Sequence, residues 1–254
     1  MKSMIEARNL CRTYALGKEN QLNILKNVSL HIRKGEFVSV MGPSGSGKST
    51  LLYHLSGMDR VDSGDIMFNG QNLAVLSEKE LARLRLTVMG FIFQQFHLLK
   101  NLSILDNIIL PGYAAKKYDR KTVNNRAVNL MERAGIAGLA NHDITQVSGG
   151  QLQRAAICRA LINRPAIIFG DEPTGALNSK AAGEIMEMLR GLNESGTTIL
   201  LVTHDTKVAA KTERILYMKD GKIIGEKGLG KYKIGSNIGD REKELSAWLM
   251  QMEF

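Results

Sequence analysis

The chain has 254 residues, of which 44% are hydrophobic, so it can bury a substantial core as one large domain or a core with a subdomain. Its longest apolar stretches, such as residues 167–169 and 199–202, have the length of strands and fall far short of the roughly 20 residues that span a bilayer. The net charge of +9 suits nucleic acid, a phosphate-rich ligand or the inner face of a membrane, and charge alone does not choose among them.

The N-terminal residues and the cysteines indicate a cytoplasmic protein. Glu6 and Arg8 interrupt the segment in which a secretory signal would need continuous apolar residues. Cys11 and Cys158 are far apart in the sequence and form no CxxC pair, which argues against a disulfide scaffold and against a zinc site. We therefore expect both cysteines to be packed or surface thiols.

The first ninety residues predict a strand-rich region with one helix. Apolar runs at 28–32, 37–41 and 66–68 are separated by turns at Lys34-Gly35 and Asn69-Gly70. A helix is predicted from Lys48, between the second and third of these runs.

The middle of the chain is predicted to be helical, and an α/β pattern follows it. Apolar residues recur with helical spacing at 120–135 and 151–162. Buried-strand runs at 166–169 and 198–202 then flank a helical stretch at 180–192, as a parallel βαβ unit requires. The tail from residue 228 ends in an apolar segment, 247–250, which predicts a short amphipathic helix of unassigned role.

A phosphate-binding loop is predicted between the strand at 37–41 and the helix that follows. Its glycines allow successive N–H groups to point at phosphate oxygens, and the helix N-terminus adds partial positive charge. Lys48 is expected to reach the β and γ phosphates, and the Ser49 hydroxyl is expected to bind Mg²⁺. The loop comprises Gly42, Pro43, Ser44, Gly45, Ser46, Gly47, Lys48, Ser49 and Thr50.

A second chemical element is the pair of acids that ends the apolar run at 166–169. A buried strand followed by Asp171 and Glu172 delivers two carboxylates to the edge of a nucleotide site. Asp171 is expected to orient the Mg²⁺ shell, and Glu172 to polarise the attacking water as a general base.

Residues 147–154 read Val-Ser-Gly-Gly-Gln-Leu-Gln-Arg and lie just before a predicted helix. A serine hydroxyl and glycine N–H groups at a helix N-terminus form a second anion site, suited to a γ phosphate. The segment lies between the phosphate-binding loop and the acidic pair, and at this position it resembles the signature of the ABC ATPases. It comprises Ser148, Gly149, Gly150 and Gln151.

Three further residues match that family in the expected order. By resemblance, Gln94 senses Mg²⁺ and the membrane partner, and His204 contacts the γ phosphate from the end of a strand. Tyr14 matches the aromatic residue that stacks on adenine. The resemblance covers roughly residues 4 to 227.

The resemblance implies a P-loop NTPase core with a parallel sheet, an antiparallel β subdomain and a helical subdomain. The ABC ATPase domain is expected at 1–227, its helical subdomain at about 95–160, and a C-terminal tail at 228–254. The implied activity is hydrolysis of ATP with Mg²⁺. The implied partners are a second copy of the chain, which shares ATP with the first, and a separate membrane permease on the inner face of the cell membrane, with no nucleic acid.

Two positions depart from the family pattern. Asn178 stands where many cassettes have an aspartate, which puts the usual inter-subunit contact of that carboxylate in doubt, and Leu152 replaces a common polar residue.

The runs at 91–99 and 170–179 resemble the lipoprotein-release and macrolide-efflux branch, and most of all its bacitracin-type peptide-resistance cassettes.

Two other functions compete with transport. A soluble ABC ATPase that remodels nucleic acid or ribosomes usually carries paired cassettes or a long coiled-coil insert, and the sequence has neither. A cassette that transmits force or a signal through a membrane partner without moving substrate stays open.

Overall fold

The computed structural model describes residues 2–16, 20–232 and 237–252. Its strands are β1 (Ser3–Leu16), β2 (Asn20–Arg33), β3 (Phe37–Met41), β4 (Ser63–Phe68), β5 (Gln71–Asn72), β6 (Met89–Phe93), β7 (Ile167–Asp171), β8 (Thr198–Val202), β9 (Arg214–Lys219) and β10 (Lys222–Gly228). Its helices are α1 (Lys48–Leu55), α2 (Glu78–Val88), α3 (Ile104–Ala115), α4 (Arg120–Arg133), α5 (Gly149–Leu161), α6 (Ser179–Glu194), α7 (Thr206–Ala209) and α8 (Ile238–Gln251). They fall into two compact units, Met1–Leu81 with Thr198–Phe254, and Ala82–Thr197.

The first unit contains an antiparallel sheet in the order β2-β1-β4-β5. The predicted turn between β4 and β5 is confirmed, since Asn69 and Gly70 both have positive φ, at 47° and 85°. Such a pair favours a tight hairpin connection. The predicted strand at 28–32 is the end of the longer β2, and β1 was not predicted.

The first unit also contains the parallel strands that precede the candidate site. Every residue of β3 and β8 is buried, which explains their continuous apolar sequences. Strand β3 pairs in parallel with β8 on one side and β9 on the other, and β10 returns antiparallel to β9. The carboxyl ends of β3 and β8 therefore lie at the same edge.

The second unit combines a parallel strand pair with a helical core. Strands β6 and β7 run in parallel, with Phe93 opposite Asp171. Helices α4 and α5 confirm the predictions at 120–135 and 151–162, whereas α3 was not predicted. These three helices bury a common apolar cluster that includes Ile108, Val123 and Cys158. The limits of the helical subdomain remain a proposal.

The predicted tail helix is longer than expected. Helix α8 packs Leu245 and Leu249 into a cluster of buried residues in the first unit, together with Met41, Ala209, Ala210, Ile215 and Tyr217. Residues 233–236 and 253–254 of the predicted tail lie outside the described residues. Among the described residues, no helix combines the length and the apolar character needed to cross a membrane.

Candidate active site

The predicted phosphate-binding loop joins β3 to α1 in the first unit. Gly42, Gly45 and Gly47 have φ values of 152°, 78° and 99°. At Gly42 a Cβ would lie 1.9 Å from the Met218 carbonyl oxygen, so no side chain fits there unless the backbone moves. Glycine adopts such backbone angles at little cost and lets the loop curl. The loop thus has the conformation that a phosphate cradle requires.

Lys48 and Ser46 supply polar groups inside this loop. The Lys48 ammonium donates hydrogen bonds to the carbonyl oxygens of Gly42, at 2.9 Å, and Pro43, at 2.8 Å. Ser46 is buried, and its hydroxyl oxygen has no hydrogen-bond partner within the described part of the chain. A cation held by the loop and an unsatisfied buried hydroxyl both fit an anionic phosphate group.

His204 lies at the same strand edge as the loop. In the first unit, Val40 of β3 pairs with Val202 of β8, so the loop and His204 both follow the carboxyl ends of neighbouring parallel strands. The Asp205 N–H donates to Thr203 Oγ1 at 3.1 Å, and Asp205 Oδ1 accepts from the Lys207 N–H at 2.7 Å. The Asp205 side chain therefore caps α7 directly after His204.

Tyr14 lies within β1, and its side chain contacts two polar residues that the sequence did not point to, Asp59 and Arg12. Its hydroxyl donates to Asp59 at 2.7 Å, and the Arg12 guanidinium covers one face of its ring at 4.5 Å from the centroid. Arg12 in turn donates to Asp62 at 2.7 Å. Burial and the hydrogen bond to Asp59 raise the pKa of Tyr14. Arg12 therefore occupies one of the two ring faces of Tyr14.

Gln94, Asp171 and Glu172 come together in the second unit. Because Phe93 pairs with Asp171 in register, Gln94 and Glu172 follow the carboxyl ends of adjacent parallel strands. A Cβ on Gly175 would lie 2.9 Å from Gln94 Nε2, which places the amide over the turn after Glu172. Glu172 has a left-handed backbone, with φ of 48°, and its carbonyl oxygen accepts from the Gly175 N–H at 3.0 Å.

Two residues of α5 hold these segments, and sequence reasoning assigned a role to neither. Gln153 is fully buried, and its amide donates to the carbonyl oxygens of Pro173 at 2.5 Å and Phe93 at 3.4 Å. Arg159 donates to the carbonyl oxygens of His97 and of Phe96, the latter at 2.8 Å. Helix α5 is thus tied to the segments that carry Gln94 and Glu172. No local sequence signal marks these side-chain contacts with the backbone.

The predicted signature residues form a second polar site in the second unit. Ser148 is the N-cap of α5: its hydroxyl accepts from the Gln151 N–H at 3.4 Å, and Gln151 Oε1 accepts from the Ser148 N–H at 2.8 Å. This reciprocal capping box fixes the start of the helix. A cavity of about 420 Å³ opens there and is lined by Ser148, Gly149, Gly150, Gln151, Arg154, Asn178 and Glu184, among others.

The structure gives local roles to the two departures from the family pattern. Asn178 is the N-cap of α6, and its side-chain oxygen accepts from the Ala181 N–H at 2.9 Å. Leu152 packs against the apolar core of the second unit. Asparagine and aspartate both cap helices well, so the cap itself does not need a carboxylate.

The predicted metal ligands are chemically suited to Mg²⁺. Ser49, Gln94 and Asp171 offer hydroxyl, amide and carboxylate oxygens, the hard ligands that this ion prefers beside phosphate oxygens. In the second unit Asp171 ends β7 and Gln94 directly follows the adjacent β6, and Ser49 lies in α1 of the first unit. In the described ranges, no group of three or more His, Cys, Asp and Glu residues could hold a metal ion.

Comparison with known proteins identifies the family to which the chain belongs. A family model described as "ABC transporter" matches residues 25–175. An uncharacterized ABC transporter ATP-binding protein of Methanocaldococcus jannaschii is 45% identical over 221 residues, which cover 87% of this chain and 98% of that protein. The macrolide export ATP-binding/permease protein MacB of Escherichia coli is 45% identical over 228 residues, and these cover 90% of this chain but only 35% of MacB.

Solved structures agree with these sequence matches. A dimeric ATP-binding cassette in a post-hydrolysis state, bound to ADP and Pi, matches with a TM-score of 0.84 and 42% identity over 90% of this chain and 100% of that one. The protein cbiO1 of Clostridium perfringens, part of the ABC transporter complex cbiONQ, matches with a TM-score of 0.79 and 27% identity over 97% of this chain and 92% of that one. The chain has the ABC ATPase fold, and it belongs to the ABC transporter family as one of its ATP-hydrolysing cassettes.

Proposed function

We propose that this chain is the ATP-hydrolysing subunit of an ABC transporter and powers a separate membrane permease from the inner face of the cell membrane. It contains the cassette, and among its described residues no helix suits a bilayer. MacB, of which the chain spans about a third, is by name both an ATP-binding protein and a permease. In this proposal the membrane-spanning permease is a separate polypeptide, and it receives the energy of hydrolysis.

In this function, ATP binds with Mg²⁺ and each predicted residue has one task. Lys48 neutralises charge at the β and γ phosphates, while Ser49, Gln94 and Asp171 hold the metal ion. Mg²⁺, when bound, offsets the charge that develops on the transferred phosphoryl group. Glu172 accepts a proton from the attacking water, and His204 contacts the γ phosphate. Tyr14 stacks on adenine.

The observation that supports the proposal is that one chain carries two separate elements, each of which suits an anion. The glycine loop around Lys48 belongs to the first unit, and the capped helix start at Ser148, with its cavity, belongs to the second. We infer that each ATP is shared by two copies, with Lys48 of one copy and Ser148 of the other on the same γ phosphate. Two-fold symmetry then gives two identical composite sites.

A complementation experiment tests this arrangement. A Lys48→Ala chain and a Ser148→Arg chain are each mixed with themselves and with one another, and both also carry Glu172→Gln so that bound ATP stays intact. In the mixed dimer one site carries both lesions, and the other pairs an intact loop with an intact signature. We expect occluded radiolabelled ATP only in the mixture.

Differential tags on the two chains confirm that mixed dimers form, and a chain with Glu172→Gln alone gives the full occlusion signal. Tagged mixed dimers that occlude no more ATP than either parent would refute the shared site. The Glu172→Gln chain also tests the proposed base, because loss of a general base typically slows turnover about 10²- to 10⁴-fold. Normal turnover by that chain would rule out this role of Glu172.

We further propose that the transporter acts in resistance to antimicrobial peptides. This rests on the resemblance of the runs at 91–99 and 170–179 to the bacitracin-type cassettes. The second candidate is force or signal transmission through the membrane partner without transport. Purification of the cassette with its permease and reconstitution into vesicles, with ATP on the outer side where the cassettes are exposed, allows bacitracin uptake into the lumen to separate the two. ATP-dependent peptide accumulation supports transport, and peptide-stimulated hydrolysis without accumulation supports signalling.

A further inference from the structure

The C-terminal helix α8 is tied to the backbone by one arginine. The Arg241 guanidinium donates hydrogen bonds of 2.8 Å to the carbonyl oxygens of Ala210, Thr212 and Leu229, and one of 3.0 Å to that of Gly230. The Arg241 side chain is partly buried, and this burial lowers its pKa. A planar fork of five N–H donors can hold four carbonyl groups at once, which a lysine cannot do.

Two of these carbonyl groups end the segment that carries His204. The chain leaves β8 at Val202, passes His204, forms the four-residue helix α7 and turns at Ala210 and Thr212. Carbonyl groups in the last turn of a helix lack partners within the helix. Arg241 provides a partner for the Ala210 carbonyl and for the Thr212 carbonyl just beyond it.

Apolar contacts from α8 support the same segment. Leu245 and Leu249 are 0% and 2% exposed and belong to one buried cluster with Ala209 and Ala210, which are themselves fully buried. A helix as short as α7 is not stable by its own hydrogen bonds, so tertiary contacts must fix its direction. Helix α8 supplies such tertiary contacts to the segment around α7, both polar, through Arg241, and apolar, through Leu245 and Leu249.

We propose that Arg241 is a positioning residue for ATP hydrolysis, which holds the segment after His204 so that the imidazole keeps its place at the γ phosphate. Arg241 itself touches no substrate in this proposal. The inference rests on the role proposed for His204. It assigns to the C-terminal tail a part in turnover, in addition to its packing.

Steady-state hydrolysis by the full-length chain, alone or with its permease, tests the proposal. We expect Arg241→Gln to lower kcat about tenfold with KM for ATP changed less than about twofold, because only the stage after binding depends on His204. Arg241→Lys keeps the charge but not the four hydrogen bonds and should fall between Arg241→Gln and the unaltered chain. Lys227→Gln is the matched control, since it removes the 2.7 Å ion pair with Glu244 of α8 but no contact with the His204 segment.

Coupling to His204 distinguishes positioning from simple stabilisation. In a His204→Ala chain, assayed with radiolabelled ATP, Arg241→Gln should lower kcat less than about twofold further, because residues that act through one another are not additive. Amide hydrogen exchange at residues 205–210 should rise in Arg241→Gln and stay unchanged in Lys227→Gln. If Arg241→Gln does not fold, as judged by near-ultraviolet circular dichroism, Arg241→Lys is subjected to both measurements with the same expected direction.

Three results would overturn the inference: an unchanged kcat in a folded Arg241 variant, an equal loss of kcat with and without His204, or unchanged amide exchange at residues 205–210. An unchanged kcat in His204→Ala alone is a different outcome. It would remove the proposed role of His204 and, with it, the basis of this inference, while the shared-site experiment stays independent of both.

Discussion

Substitution of glycines in the phosphate loop separates steric exclusion from backbone strain. In Gly42→Ala the new Cβ would lie 1.9 Å from the Met218 carbonyl oxygen, whereas contacts under 3.0 Å essentially never occur. The loop or the Met218 backbone must therefore move so that the two atoms separate by at least a further 1.1 Å, the difference between these two distances. In Gly45→Ala no atom lies within 4 Å of the new Cβ, so only the left-handed backbone at φ of 78° opposes the change.

The two substitutions are expected to lower the free energy of unfolding by different amounts. For Gly45→Ala we expect a loss of about 1–2 kcal/mol in the free energy of unfolding, the usual cost of left-handed backbone for a residue with a Cβ. For Gly42→Ala the steric conflict adds about 1–3 kcal/mol to that strain. Because the conflict displaces the backbone that faces the phosphates, we also expect the affinity of Gly42→Ala for ATP to fall more than about tenfold, or about 1.4 kcal/mol.

Urea unfolding and titration with a fluorescent ATP analogue measure the two effects. Gly70→Ala is the control, because Gly70 has φ of 85°, no atom within 4 Å of its Cβ position and a place in the remote β4–β5 turn. It should lose stability as Gly45→Ala does and bind ATP normally. The reasoning is refuted if Gly42→Ala matches Gly70→Ala in both stability and affinity.

Two further predictions concern buried groups outside the loop. Arg214→Ala removes the bidentate partner of buried Glu36, at 2.7 and 3.0 Å, and should cost about 3–5 kcal/mol of unfolding free energy in urea; a loss below about 1 kcal/mol would contradict this. Burial acts to raise the pKa of Glu36, but Arg214 lowers it overall. The Glu36–Arg214 pair therefore stabilises the folded chain fully above pH 4.5, the ordinary pKa of the group, and this stabilisation is lost as pH falls through the lower pKa of the folded state. Burial raises the pKa of Cys158 to about 12. Iodoacetamide at pH 8 should therefore label Cys11 in the folded chain and Cys158 only after unfolding, as measured by peptide mass spectrometry. Labelling of Cys158 in the folded chain would contradict its burial.

The sequence was most informative where backbone geometry restricts residue type. Gly42 and Gly47 have no room for a side chain, and Asp171 must end a buried strand, so the residues themselves mark these places. Ser148 and Gln151 form a capping box whose spacing is visible in the sequence. The same local rules predicted the turn at Asn69 and Gly70.

The elements that were missed depend on distant contacts or on a broken local rule. Helix α3 continues through Pro111, although proline usually ends a helix, because its apolar residues pack with α4 and α5. Helix α8 begins well before the apolar residues that predicted it, and the polar side chain of Arg241 fixes this part. The contact of Tyr14 with Asp59 joins residues that are 45 positions apart, which no local pattern reveals.

The strained positions of the second unit show why such contacts matter for function. Phe96 and His97 are consecutive non-glycine residues with φ of 53° and 49°, and they follow Gln94 closely. Each left-handed residue costs on the order of 1 kcal/mol or more and persists only where its surroundings fix it. Arg159 donates to both of their carbonyl groups, so it can offset this cost through hydrogen bonds made only in the bent conformation. A glycine in place of His97 would form the same turn without strain, but it would lose the His97 ring, whose centroid lies 4.8 Å from that of the Phe93 ring. The loop after Gln94 is thus shaped by side-chain contacts, which explains why its sequence lacks the glycines that mark the phosphate loop.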